Sequence, residues 1–318
     1  MTPSKPVGAT ISKPHSITCM PMTIAQPVQK INRKHLIFII FFPLTKRCQG
    51  DIIRLLLKPK GGDTLILTID IGNSNISVGG FIKDTLAFVS RISTNTAKTE
   101  DEYAIDLVNV LALHNVDRSK IKGAILSSVV PPLNTIMRTA IKMVFGVDAL
   151  TVGPGIKTGI RIRCDSPSSV GADLICACVA VQKQYGAPAL IVDIGTATKM
   201  IVMNGEGAFI GVSIAPGVLM GLNALSEGTA QLPKVELDTP ASIIAKNTAD
   251  CMKSGVIFGN ASMVDGMIDR INEEIGESLP VYVTGGLASV IHPHCRHTMT
   301  LDEHLVLKGL SILYQKNN

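Results

Sequence analysis

The sequence has little charge and few aromatic residues. Charged residues make up 17% and aromatic residues 4% of its 318 positions, whereas 46% are hydrophobic. Low charge with high apolar content favours a folded globular protein and argues against disorder. No basic stretch is rich in aromatic residues, so we expect no nucleic-acid partner.

Long apolar runs are also lacking. The longest, HLIFIIFFPL, ends at Leu44 and is far shorter than the ~20 residues that a membrane span needs. Basic residues precede it, as in a signal peptide, but Thr45-Lys46-Arg47 follows it in place of a small-residue cleavage site. We therefore expect neither a membrane span nor export.

Standard cysteine motifs for zinc are absent. The seven cysteines are scattered, and Cys176 and Cys178 form a C-x-C pair, which we interpret as buried reduced thiols. The dense H-x-H-C-x-H group fits no standard metal site, and we interpret it as a surface loop around Pro293. Its members are His292, His294, Cys295 and His297.

Residues 1–62 differ from the rest of the chain. They show no sustained period, and they carry much of the excess positive charge with a single acid, Asp51. We expect an atypical leader that is disordered or untranslated, because Lys60-Gly61-Gly62-Asp63 can be encoded by a ribosome-binding sequence shortly before Leu65. The alternative is a genuine flexible basic extension.

Two segments beyond the leader resemble each other. Leu65–Gly79 and Leu190–Met203 each read as a strand, then Asp-Ile-Gly, then small polar residues, then a second strand. This pattern predicts a β-hairpin with a tight glycine turn in each half. The repeat favours a duplicated α/β architecture, with domains at 65–186 and 187–318.

Helices and further strands alternate around these hairpins. Thr99–His114 is predicted to be a helix that starts with a capping box formed by Thr99 and Glu102. Ile121–Val130 reads as a buried strand, and Ser168–Gln184 as a helix. Apolar residues at helical spacing predict another helix ending near Ile275, and Leu279–Thr284 reads as a strand.

The hairpin turns suit a nucleotide phosphate. Backbone N–H groups of a glycine turn can bind phosphate oxygens, and Asp70 and Asp193 end their strands where a carboxylate can hold a cation. A single Asp-x-Gly is ordinary turn chemistry. Two copies in matched contexts, about 120 residues apart, favour phosphate binding.

Together with the glycine-rich run Thr284–Ala288, these turns resemble the three-part pattern of the superfamily of acetate and sugar kinases, Hsp70 and actin. Further motifs, in order, are similar to those of type III pantothenate kinases over residues 65–315. They include Ser127–Pro132, Lys157-Thr158-Gly159, Asp165-Ser166-Pro167, Val170–Asp173, Asp193–Thr198, Pro216-Gly217, Lys246-Asn247-Thr248 and Val264-Asp265-Gly266.

The resemblance implies duplicated ribonuclease H-like (actin-like ATPase) domains with a nucleotide cleft between them. It implies ATP-dependent phosphorylation of pantothenate to 4'-phosphopantothenate, the first step of coenzyme A synthesis. The expected cofactors are ATP with Mg²⁺ and a monovalent cation, K⁺ or NH₄⁺. The expected protein is a cytoplasmic homodimer.

The resemblance also assigns residues. Asp173 matches the catalytic base that accepts the hydroxyl proton, and Asp193 matches the residue that binds the monovalent cation. Pantothenate contacts are expected at Gly171, Ala172, Leu174 and Thr248. ATP contacts are expected at Asp70, Ile71, Gly72, Asn73, Ser74, Asn75, Ile76, Ser77 and Thr196.

Two positions depart from the family pattern. Leu174 stands where arginine is common, and we expect it to weaken pantothenate binding by removing a cation. Lys199 stands where a second threonine is usual. We interpret it as a solvated strand residue, and a functional role beside the phosphate loop is the alternative. A non-enzymatic accessory factor for transcription is the alternative function that Leu174 leaves open, and a sugar or carboxylate kinase of the same superfamily is a third.

Overall fold

A computed structural model of the protein describes residues 64–318. The prediction of an atypical leader at 1–62 lies outside these residues. Within them, no helix is both long and apolar enough to cross a membrane.

The first sheet has five strands in the order β3-β2-β1-β4-β5. β1 pairs antiparallel with β2 and parallel with β4, so the first hairpin lies at the centre of the sheet. The strands are β1 (Leu65–Ile71), β2 (Asn75–Ile82), β3 (Thr85–Ser93), β4 (Ile121–Ser128) and β5 (Ala149–Thr151).

The second sheet repeats this arrangement, in the order β10-β9-β6-β7-β8. β6 pairs antiparallel with β7 and parallel with β9, as β1 pairs with β2 and β4. The repeat confirms the predicted duplication. The strands are β6 (Ala189–Ile194), β7 (Ala197–Met203), β8 (Phe209–Pro216), β9 (Val281–Thr284) and β10 (Thr300–Leu301).

Helices cover both faces of each sheet, as the apolar central strands require. In the described residues they are α1 (Glu100–Leu113), α2 (Pro132–Phe145), α3 (Ala172–Gln184), α4 (Val218–Glu227), α5 (Thr248–Ile275), α6 (Ala288–Ile291) and α7 (Leu305–Asn317). The structure confirms the capping box of α1, in which Thr99 accepts from the Glu102 N–H and the Glu102 carboxylate accepts from the Thr99 N–H.

Two helix boundaries were predicted wrongly. α3 begins at Ala172 rather than near Ser168, because Pro167–Ser169 forms a separate 3₁₀ turn and Gly171 keeps an extended backbone with ψ 140°. α5 extends over 28 residues from its Asn247 cap, whereas only its second half was recognised. Glycine and serine interrupt the apolar period of the first half.

The core is built around a shared middle layer of α3 and α7. One apolar cluster joins β1 to α1 and α2, and another joins β6 to α4 and α5. The cluster between them contains side chains of both sheets with those of α3 and α7. α7, in the predicted second domain, therefore packs against the first sheet, where the Tyr314 side chain lies over Gly123. This layer brings the carboxyl ends of β1 and β6 to the same region.

Candidate active site

The two hairpin turns meet. The hydroxyl oxygens of Ser74 and Thr196 lie 2.8 Å apart, although they are 122 positions apart in the sequence. In the first turn, the N–H of Gly72 donates to the carbonyl of Asn75 at 3.0 Å. In the second, the N–H of Gly195 donates to the carbonyl of Ala197 at 3.1 Å. Both turns are therefore held from within, and their polar tips face each other.

Two glycines let other segments approach the second turn. A Cβ atom at Gly217 would collide with the carbonyl of Thr196 and lie 2.5 Å from that of Gly195. Gly285 has φ +102°, and a Cβ there would lie 2.6 Å from Asp193 Oδ1. Only glycine fits these positions without displacing the turn or the carboxylate.

Three carboxylates gather beside the turns. Asp70, near the end of β1, accepts a 2.5 Å hydrogen bond from the Ser127 hydroxyl of β4. Asp193 occupies the corresponding position of β6, and Asp173 lies in the first turn of α3. Lys199 joins the last two, because its Nζ lies 2.7 Å from Asp173 Oδ2 and 2.6 Å from Asp193 Oδ2.

Burial and neighbouring charges raise the pKa of Asp70 and of Asp193. Burial raises the pKa of Asp70 to about 7; the Ser127 hydrogen bond opposes this shift, and the charges of Asp173 and Asp193 add to it. Burial also raises the pKa of Asp193, against the opposing effect of Lys199. For Lys199, burial lowers the pKa, but the two carboxylates outweigh it and raise the pKa overall. Strong shifts in a group of this kind are typical of functional sites.

The remaining expected ATP residues lie on or beside the first turn. Asn73, Ser74 and Asn75 are exposed, and Ser77 is half-buried on β2 directly opposite Asp70. Ile71 and Ile76 are fully buried in the core, so only their backbone can contact a ligand.

The expected pantothenate residues divide into two groups. Gly171 and Ala172 lead directly into Asp173, and a Cβ at Gly171 would collide with Asp173 Oδ1. Thr248 is exposed at the first position of α5. Leu174 is 6% exposed and packs in the apolar middle layer, so a substrate can reach little of its side chain. Gly171, Ala172 and Thr248 therefore remain candidate contacts for pantothenate, whereas the Leu174 side chain belongs to the core.

The interpretation of Lys199 as a solvated strand residue was wrong. Its side chain is only 18% exposed and bonds to two carboxylates. Lys199 and Asp193 are direct partners in the β6–β7 ladder. The hairpin register, counted outward from the Gly195 turn, was the signal in the sequence that could have found this pair.

The expected monovalent cation does not fit this arrangement. Asp193 was its predicted ligand, but Asp193 Oδ2 already bonds to the Lys199 ammonium. A second cation at that carboxylate would be repelled at close range in a buried setting.

The histidine rings of the segment His292–His297 each make a separate structural contact. The His292 ring bonds to the carbonyl of Met299, the His294 ring packs edge-on against Phe258, and the His297 ring bonds to Asp269 at 2.8 Å. Each ring of this segment therefore has its own structural partner.

Comparison with known proteins agrees with the geometry. The model of the type III pantothenate kinase family matches residues 66–270. The chain is 41% identical over 253 residues to a type III pantothenate kinase of Geotalea daltonii, covering 80% of this chain and 99% of that protein. It is 41% identical over 254 residues to one of Syntrophus aciditrophicus, covering 80% and 100%.

A solved structure supports the fold. A 2-dehydro-3-deoxygalactonokinase-like protein from Sinorhizobium meliloti aligns with a TM-score of 0.51 and 14% identity, covering 79% of this chain and 96% of that one. It agrees with the expected duplicated α/β fold, in which each half contains a five-stranded sheet. With these findings and the gathered carboxylates, the chain belongs to the type III pantothenate kinase family.

Proposed function

We propose that this protein transfers the γ-phosphoryl group of ATP to pantothenate, forming 4'-phosphopantothenate in the first step of coenzyme A synthesis, with Asp173 as the general base. The observation that carries the assignment of the base is the position of Asp173. It lies at the start of a helix, beside the two other carboxylates and the pair of meeting phosphate turns.

Phosphoryl transfer depends on the positioning of ATP and the attacking hydroxyl, and it needs no covalent intermediate with the protein. The pantothenate hydroxyl oxygen attacks the γ-phosphorus, the bond to the β-phosphate oxygen breaks, and ADP leaves. Asp173 accepts the hydroxyl proton. Lys199 bonds to Oδ2 of that carboxylate, so Oδ1 remains for the substrate on the side that Gly171 leaves clear.

ATP is bound between the two turns in this proposal. The side chains of Asn73, Ser74 and Thr196 are exposed donors at the meeting point of the turns. The family uses ATP with Mg²⁺, and the Asp70 carboxylate is an oxygen donor suited to that ion. Bound Mg²⁺ would neutralise phosphate charge and favour the ionised form of Asp70.

Pantothenate is proposed to lie between Gly171 and Thr248 in a homodimer. Exposed apolar side chains lie on α4 and on the segment that leads into Thr248, and burying them against a second copy would stabilise a dimer. They are Leu219, Met220, Leu225, Ile243 and Ile244. Since the reaction consumes ATP, we expect the protein in the cytoplasm.

A non-enzymatic role in transcription is not favoured. Asp70, Asp173 and Asp193 are all present and gathered in one place, at an electrostatic cost that a scaffold would not need.

The test is an ATP-coupled assay with pantothenate. We expect Asp173→Asn to lower kcat by roughly 10²–10⁴-fold, as for loss of a general base. Asp148→Asn is the matched control, because that side chain is 83% exposed in a surface ion pair with Lys142. Wild-type turnover by Asp173→Asn would overturn the assignment of the base, and no turnover by the wild type would overturn the proposed function.

A further inference from the structure

We propose that Lys199 is a built-in cation of the active site, which neutralises Asp193 and positions Asp173, and that catalysis therefore does not depend on an added monovalent cation. The inference rests on the proposed function, because it concerns the same carboxylates.

The geometry is that of a bridge between two elements. The ammonium of Lys199 lies within 2.7 Å of a carboxylate oxygen on α3 and within 2.6 Å of one on β6. All three side chains are less than a fifth exposed. An ammonium held between two carboxylates at this depth loses little to solvent screening, so it fixes the position of both.

The duplicated fold provides an internal comparison. Asp70 and Asp193 occupy equivalent positions in the two hairpins. The residue opposite Asp70 is Ser77, whereas the residue opposite Asp193 is Lys199. In the first sheet, Asp70 accepts a hydroxyl hydrogen bond from Ser127. The hairpin itself therefore does not require a lysine, and the ammonium is a particular feature of the second half.

Charge balance gives this lysine a function. The charges of Asp173 and Asp193 help to raise the pKa of Asp70, the charge of Asp173 helps to raise that of Asp193, and ATP brings several further negative charges. In the described part of the chain, both ion pairs made by Asp173 and Asp193 are with Lys199. Its ammonium supplies the positive charge that a bound potassium or ammonium ion would otherwise supply at Asp193.

Lys199 acts through Asp173 and is therefore a positioning residue. Its bond to Oδ2 holds the carboxylate so that Oδ1 faces the space beside Gly171. Loss of the bond would free the Asp173 side chain, and misplacement of a base by about 1 Å can cost roughly 10²-fold in rate.

The experiment compares cations at constant ionic strength. Pantothenate phosphorylation by the wild type should be equal, within about twofold, in KCl, NH₄Cl and choline chloride. Lys199→Thr removes the ammonium and leaves a hydroxyl. Its rate should fall by roughly 10²-fold in choline chloride and recover in part with K⁺ or NH₄⁺. Lys122→Thr, at the exposed second position of β4, is the matched control and should behave as the wild type.

A second readout does not need turnover. In thermal unfolding, KCl should raise the Tm of Lys199→Thr relative to choline chloride and leave that of the wild type unchanged. Stimulation of the wild type by K⁺ of about tenfold or more would overturn the inference even if the variant failed to fold. A Lys199→Thr protein whose rate and Tm both stay the same with and without K⁺ would also overturn the inference. Absence of phosphorylation by the wild type in every buffer would count against the proposed function, and the unfolding measurements would still decide the inference.

Discussion

At the scale of single residues, the surroundings of Asp70 disfavour the ionised form of its carboxyl group. Its pKa is raised to about 7, first by burial and then by the charges of Asp173 and Asp193. The Ser127 hydroxyl and the Lys199 ammonium reduce this effect without cancelling it. The protein without ligand therefore carries a carboxyl group that is only partly ionised near neutral pH.

This shift predicts how stability depends on pH. Because the folded-state pKa of Asp70 lies above its usual value of 3.8, protonation of this group stabilises the folded protein. That contribution is complete below about pH 4 and is lost as the pH rises through about 7. Without nucleotide, Asp70→Asn should therefore unfold at a higher temperature than the wild type at pH 8.5, by roughly 5 °C.

The measurement is thermal unfolding at pH 5 and pH 8.5. The difference in Tm between Asp70→Asn and the wild type should be smaller at pH 5, and Asp148→Asn should show no such dependence. If Asp70→Asn were less stable than the wild type at pH 8.5, the raised pKa of Asp70 would be contradicted.

At the scale of structural elements, the second phosphate turn depends on how α4 is attached to β8. Gly217 is the residue before α4, and its Cα lies against the backbone of the β6–β7 turn. Four residues later, Gly221 lies within the helix with no atom near the place of a Cβ. A side chain at position 217 would therefore collide with the turn, whereas one at position 221 would collide with none of the described residues.

Alanine substitutions at the two positions should have different effects on activity. Gly217→Ala should push the turn out of position and lower kcat/KM for ATP by roughly 10²-fold, because phosphate contacts tolerate little displacement. Gly221→Ala should keep full activity and raise stability by up to about 1 kcal/mol, the usual gain from replacing glycine inside a helix. Kinetics and thermal unfolding of both variants provide the test. Equal kinetics for the two would refute the role given to Gly217.

At the scale of the whole molecule, the expected dimer has a surface to test. Leu219 and Ile244 are 46% and 79% exposed, on α4 and before α5 respectively. The double substitution Leu219→Glu and Ile244→Glu should convert a dimer into monomers, because each charge would be buried without a partner in the interface. Its pantothenate KM should rise if Thr248 serves the site of the partner subunit.

Sedimentation equilibrium measures the outcome. Leu113→Glu is the control, since this residue is 73% exposed at the end of α1, on a different element. A monomeric wild type, or a double variant that remains dimeric, would contradict the proposed interface.

Much of the secondary structure of this protein can be predicted from residues that are close together in the sequence. The Asp-x-Gly turns, the alternation of the strands around them and the Thr99 capping box all depend on interactions within a few positions, and each was predicted and found. The order of short motifs was equally local, and it identified the family. The first half of α5 was missed because its glycines and serines weaken the apolar period that marks a helix.

The sequence by itself determined the two hairpins, the duplicated α/β order and the family, because hydrogen-bonded turns and apolar periods are properties of short segments. Only the tertiary structure decided that Lys199 is a largely shielded link between Asp173 and Asp193, and that Leu174 belongs to the core. Lys199 meets Asp173 from 26 positions away, and Ser74 meets Thr196 from 122 positions away. The environment of a side chain depends on which distant segments the middle layer of α3 and α7 brings beside it, and no local pattern carries that information.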